Sequence, residues 1–127
     1  MQEKHLYEYA VVRLVPKVER EEFINTGIII YSKNAKFIEM RYFLDTDKVK
    51  ILCPDCDIKE IEKNLNSFKR ISLGESNAGP IAKMDIASRF RWLTATRSSI
   101  IQTSKTHPGF SADLNQTINC LFEEMVL

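Results

Sequence analysis

Between Ile86 and Ala112 the chain carries Arg89, Arg91, Arg97, Lys105 and His107 and no Asp or Glu. The densest part, Arg89-Phe90-Arg91-Trp92-Leu93-Thr94-Ala95-Thr96-Arg97-Ser98-Ser99, interleaves arginines with hydroxyl residues and the single tryptophan. Guanidinium groups bind carboxylate or phosphate through paired donors, hydroxyls add donors, and an indole offers a flat face for stacking. The combination describes an anion site for phosphate or a nucleotide, built from Arg89, Arg91, Trp92, Arg97, Ser98 and His107. On a helix Arg89 and Trp92 share a face and Arg91 points elsewhere, while Arg97 and His107 arrive from the following loop. The competing use of these arginines is internal, as ion-pair partners of Glu19, Glu21, Glu22 or Asp45, with Trp92 in the core.

Cys53-Pro54-Asp55-Cys56 immediately precedes a helix opened by Asp57. A helix dipole favours thiolate, so a Cys-x-x-Cys at a helix start is a candidate for thiol chemistry, and here it resembles the redox motif of glutaredoxins. The rest of that fold is missing, because three strands precede the motif where one strand of a βαβ unit should. The plain reading is two small residues at a helix start. Three cysteines are an odd number, which argues against a disulfide framework. A zinc site needs four ligands. Cys120, His5 and His107 are the remaining soft donors and have no paired spacing, so no metal and no cofactor are expected. Glu19-Arg20-Glu21-Glu22 has paired carboxylates but no histidine beside them and reads as a solvated turn. Neither a Gly-x-Ser-x-Gly elbow nor a glycine-rich phosphate loop is present.

These groups must be held by a chain of 127 residues, enough for one core and one domain spanning 1–127. A formal net charge of +1 excludes a globally basic nucleic-acid binder, so nucleic acid is not an expected partner. No apolar run approaches the roughly 20 residues of a membrane span. The polar start lacks a signal core, which points to a reducing cytoplasm.

Tyr7 to Val15 is apolar on both faces and reads as a central strand ended by Pro16. Phe23 to Tyr31 is a second strand around Ile28-Ile29-Ile30, with Gly27 marking a bulge or close backbone approach and Asn25 in need of a partner. Lys36 to Phe43 alternates as a half-exposed third strand. Asp45 caps a short helix carrying Val49 and Leu52. Asp57 opens the best helix, with Ile58, Ile61, Leu65 and Phe68 at helical spacing. Ser72 to Pro80 is a surface loop, Asp85 caps another short helix, and Ser98 to Gln102 is the candidate for a fourth strand. His107-Pro108-Gly109 reads as a turn before a last helix from Asp113 that carries Leu114, Ile118, Leu121, Phe122 and Met125. The order predicts an α+β domain: an antiparallel sheet of three to four strands with helices packed on one face.

Tyr7 to Pro16, Glu19 to Gly27, Ala78-Gly79-Pro80-Ile81 and Arg89-Phe90-Arg91-Trp92-Leu93-Thr94-Ala95 resemble the marks of a bacterial domain-of-unknown-function family of small proteins. Position 96 is Thr where many members carry Pro. The resemblance implies a partner or accessory role, because such proteins are often encoded beside HipA-like kinases of bacterial toxin–antitoxin pairs. It brings no catalytic residues. Three functions therefore compete. The first is a non-catalytic binding or accessory protein with a kinase-like partner. The second is a small enzyme or sensor holding a phosphorylated ligand at the arginine segment. The third is a thiol-redox protein using Cys53 and Cys56.

Overall fold

The computed structural model describes residues 3–97 and 99–127. It contains β1 (His5–Leu14), β2 (Ile24–Ser32), β3 (Phe37–Tyr42), α1 (Thr46–Leu52), α2 (Ile58–Leu73), α3 (Ile86–Leu93), β4 (Ile101–Thr103), β5 (His107–Ser111) and α4 (Leu114–Met125). The domain is α+β with an all-antiparallel sheet, as the element order predicts. Five strands replace the expected three to four, because β1 has two partners along its second edge. β5 pairs with its first half, from His5↔Ser111 to Tyr9↔His107, and β4 pairs with its end, from Val12↔Thr103 to Leu14↔Ile101. Ser104 bridges the gap: its N–H donates to Val11 O at 2.8 Å and its Oγ accepts from Val11 N at 2.8 Å. The central strand therefore leaves no orphaned backbone group at the junction.

Helices cover both faces of the sheet, where one covered face was expected. Ala10, Val12, Leu14, Ile29, Tyr31 and Met40 face a layer containing Val49, Leu65, Phe90 and Leu93 from α1, α2 and α3. Val11, Ile28 and Ile30 point the other way, onto Leu114 and Ile118 of α4. Side chains alternate along a strand, so two neighbouring strands without a polar face need two coverings. The continuous apolar runs of β1 and β2 already carried that requirement.

The helix starts follow local chemistry. Asp45 Oδ1 accepts from the N–H groups of Asp47 and Lys48, and Asp57 Oδ1 from those of Lys59 and Glu60. Asp85 and Asp113 cap α3 and α4 in the same way. The loop after α2 is pinned: Arg70 pairs with Glu75 at 3.0 Å and donates to Asn77 Oδ1 at 2.7 Å. In β2 the register jumps from Val12↔Gly27 to Arg13↔Asn25, leaving Thr26 as the extra residue of a bulge. A Cβ on Gly27 would sit 2.6 Å from Arg41 O, so both readings of this glycine hold. Asn25 Nδ2 finds its partner at Met125 O, 3.0 Å away, tying the bulge to the end of α4.

The His107-Pro108-Gly109 segment is strand rather than turn. β5 is an edge, where a proline's missing donor is tolerated. Gly109 lies opposite Tyr7, whose ring fills the space a side chain would need. At the other edge, the Tyr42 hydroxyl donates to Glu62 Oε1 of α2 at 2.9 Å. Burial first, then that bond, pushes the phenol up to about 12. A raised native pKa favours the protonated form, so this contact stabilises fully below the unfolded tyrosine pKa of about 10 and loses its effect toward pH ~12. In an ultraviolet absorbance titration the last phenol to ionise should disappear in Tyr42→Phe.

Ile118 is fully buried under the sheet, whereas Leu121 is partly exposed. Ile118→Ala should cost about 2–5 kcal/mol in urea unfolding, and Leu121→Ala distinctly less.

Candidate functional site

α3 displays the arginine segment with Asp85 as its cap, Oδ1 accepting from Ser88 Oγ at 2.6 Å. The bonds from Ser88 hold this carboxyl below its usual range. Phe90 and Leu93 of α3 are fully buried, and Arg89 is buried with them at 9% exposure. Arg89 Nη1 donates to Ile71 O and Ser72 O, each at 3.2 Å, at the C-terminal end of α2. The Ile71 carbonyl also accepts from the Gly74 N–H at 3.0 Å, and a cation at this helix end meets the negative end of the helix dipole. Gly74 follows with φ +69°, and a side chain at that position would collide with the Arg89 guanidinium. Arg89 thus clasps α3 to α2. Its Nε is buried without a hydrogen-bond partner among the described residues.

Arg91 turns to β1 and binds Glu8 through both nitrogens, at 3.0 and 2.6 Å. The bond from Glu8 raises its pKa. Arg97 lies over two rings, its guanidinium carbon 4.7 Å from the Trp92 centroid and 5.1 Å from that of Phe68. It also donates to Trp92 O. Burial lowers its pKa. Trp92 is 39% exposed and meets Phe68 at 6.2 Å between centroids, so its indole is at the surface rather than in the core. Ser98 lies outside the described residues. The acids named as internal partners, Glu19, Glu21, Glu22 and Asp45, pair with none of these three arginines among the described residues.

His107 stands on the other side of the sheet. It pairs with Tyr9, its ring 5.3 Å from the Tyr9 ring, and Tyr9 belongs to the cluster under α4. Glu8, the partner of Arg91, is the next residue of β1 and points to the opposite face. The six residues read as one anion site are therefore not gathered in one place. Trp92 and Arg97 come together, Arg91 and His107 are separated by the sheet, and Arg89 faces inward. Sequence reasoning missed Phe68, which forms the third part of the Trp92–Arg97 corner. Its place on the apolar stripe of α2 marks it as core and gives no sign that its ring face meets a surface arginine.

Two concavities accompany these groups. A groove of about 210 Å³ runs beside the corner, lined by Asn64, Phe68, Ile71, Trp92 and Ile101. A larger cleft of about 550 Å³, within the range of ligand pockets, lies between the β1–β2 connection and the end of α1. Lys17, Arg20 and Glu22 form one wall, with Ile51, Cys53 and Asp55 on the other. Nothing in the spacing of the sequence joins residues 17–22 to residues 51–55, so this site was not legible there. Cys53 and Cys56 are joined in a disulfide, with Cα atoms 5.5 Å apart, and Cys120 is free and exposed. An odd count excludes a complete framework but leaves room for one local bridge across a turn. Among the described residues no group of three His, Cys, Asp or Glu is placed to hold a metal ion. Among them, too, no helix is long and apolar enough to cross a membrane.

Fold and surface together define an α–β–α layered domain whose chemistry-bearing groups lie at a Trp–Arg corner and a disulfide-lined cleft. The chain belongs to the family described as "Protein of unknown function (DUF3037)", whose model matches residues 9–126. No curated protein and no solved structure matches it.

The clasp and the surface pair should separate in chemical unfolding. Arg89→Ala removes charged hydrogen bonds from buried carbonyls and should cost roughly 1.5–3 kcal/mol or more. Arg91→Ala breaks an exposed pair and should cost under about 1 kcal/mol.

Proposed function

We propose that the protein is a non-catalytic binding and accessory module that engages a HipA-like kinase through the corner formed by Trp92, Arg97 and Phe68. The carrying observation is the part-exposed Trp92 with Arg97 already stacked on it beside an apolar groove. Tryptophan and arginine are the residues most often found to dominate binding energy at protein interfaces. An arginine held in place before contact loses less side-chain freedom on binding. Among the described residues no carboxylate pairs with Arg97. The fitting partner surface therefore presents an acidic side chain next to an apolar one that enters the groove. The family resemblance supplies the class of partner, and the proposed setting is a bacterial cytoplasm.

The phosphorylated-ligand reading has weaker support, since Arg91 is engaged by Glu8 and His107 lies across the sheet.

The test is titration calorimetry of the purified protein with a purified HipA-like kinase. Trp92→Ala and Arg97→Ala should each weaken binding about tenfold or more, equivalent to roughly 1.4 kcal/mol. Both should keep the thermal midpoint near that of the unaltered protein, and Lys105→Ala should bind normally. A kinase that does not bind, or that binds both corner variants normally, overturns the proposal.

A further inference from the structure

The cleft at the end of α1 has a use independent of the Trp92–Arg97 corner. Cys53 caps α1, its N–H donating to Val49 O at 2.7 Å, and Cys56 N–H donates to Cys53 O at 3.2 Å. Pro54 and Asp55 are thus a tight turn between two helices, and the bridge closes it. The two sulfur-bearing residues have different surroundings. Cys53 lines the cleft, while Cys56 packs against the hydrophobic core. Attack on a disulfide is governed by access to the sulfur attacked and by the group that leaves. Both cysteines are half-buried, and the difference between them is that Cys53 borders the cleft while Cys56 borders the core.

The walls indicate what enters. Arg20 and Glu22 pair with each other. Lys17 and Asp55 also line the cleft, and among the described residues neither is in an ion pair. One cation and one carboxylate, with the 84% exposed Ile51 on the same wall as Asp55, suit a small thiol that carries both charges.

We propose that Cys53 and Cys56 form a thiol–disulfide exchange centre for a small zwitterionic thiol of the amino-acid or short-peptide class, attacked at Cys53. The thiolate of a first such molecule attacks Cys53 Sγ. A sulfur–sulfur bond forms to Cys53, the Cys53–Cys56 bond breaks, and the electron pair leaves on Cys56, which takes up a proton from solvent. The thiolate of a second molecule attacks the external sulfur of the mixed disulfide and releases Cys53 as thiolate. Two thiols are oxidised to their disulfide and the protein pair is reduced by the same two electrons. In a reducing compartment a disulfide of this kind is a working bond rather than a permanent brace.

The experiment uses the full chain in a Cys120→Ser background, with reduced glutathione as the zwitterionic probe and 2-mercaptoethanol as the uncharged one. Millimolar glutathione should open the bridge in the folded protein, read as two alkylatable thiols by intact mass. Lys17→Gln should slow opening by glutathione by roughly threefold or more and leave opening by 2-mercaptoethanol nearly unchanged. With oxidised glutathione, Cys56→Ser should trap a mixed disulfide at Cys53 faster than Cys53→Ser traps one at Cys56. If the cysteine variants do not fold, the two-probe rates on the intact bridge decide alone. A bridge that opens only on unfolding, equal slowing for both probes in Lys17→Gln, or faster trapping at Cys56 overturns the proposal.

Discussion

β1 exchanges backbone hydrogen bonds with β2 along one edge and with β5 and β4 in turn along the other. Its side chains meet one helical layer through Ala10, Val12 and Leu14 and another through Val11. Every layer of the domain touches this strand or the one beside it. Burial of apolar surface supplies most of the drive toward such an arrangement, and pairing on both edges satisfies the backbone that burial strips of water. The positions of the corner and the cleft follow, since α1, α2 and α3 all pack on the face set by Ala10, Val12 and Leu14.

The three arginines of the Arg89–Arg97 stretch show how one side-chain type takes its role from where the helix axis points it. Arg89 is turned inward and spends its charge on the carbonyls that end α2. A buried guanidinium is costly unless its donors are met, and here a helix terminus meets two of them while Gly74 makes the room. Arg91 lies at the rim and pairs with Glu8 in solvent, where ion pairs contribute little. Arg97, beyond the helix, is held by aromatic faces and one carbonyl rather than by an acid. A positive stretch in the sequence thus becomes one internal clasp, one surface pair and one stacked cation at the edge of a groove.

The two candidate sites draw on different physics. The Trp92–Arg97 corner offers area, polarisable faces and a fixed charge, which suit recognition of a protein surface. The cleft sets one cysteine of a disulfide among charges of both signs. They come from separate stretches of chain, so a change in one leaves the other's residues in place.

Much of the fold is written locally. The four aspartate caps, at positions 45, 57, 85 and 113, each bond to backbone two or three residues ahead, and such contacts are readable from spacing alone. The first three strands and the apolar stripes of α2 and α4 follow from periodicity in the same way. The bulge at Thr26 was foreshadowed by Gly27. Tertiary structure decided the rest. His107 to Gly109 looks like a turn until β1 offers an open edge. The single-sided helical layer fails because α4 crosses to the second face, a choice made by the parity of β1 and β2 and by the connections between elements. Arg91 and Glu8 are 83 residues apart, and the walls of the cleft come from residues 16–22 and 51–55. Periodicity reports which face of an element is apolar. Which partner that face finds, and which charges meet across it, depends on chain reversals that no local spacing encodes.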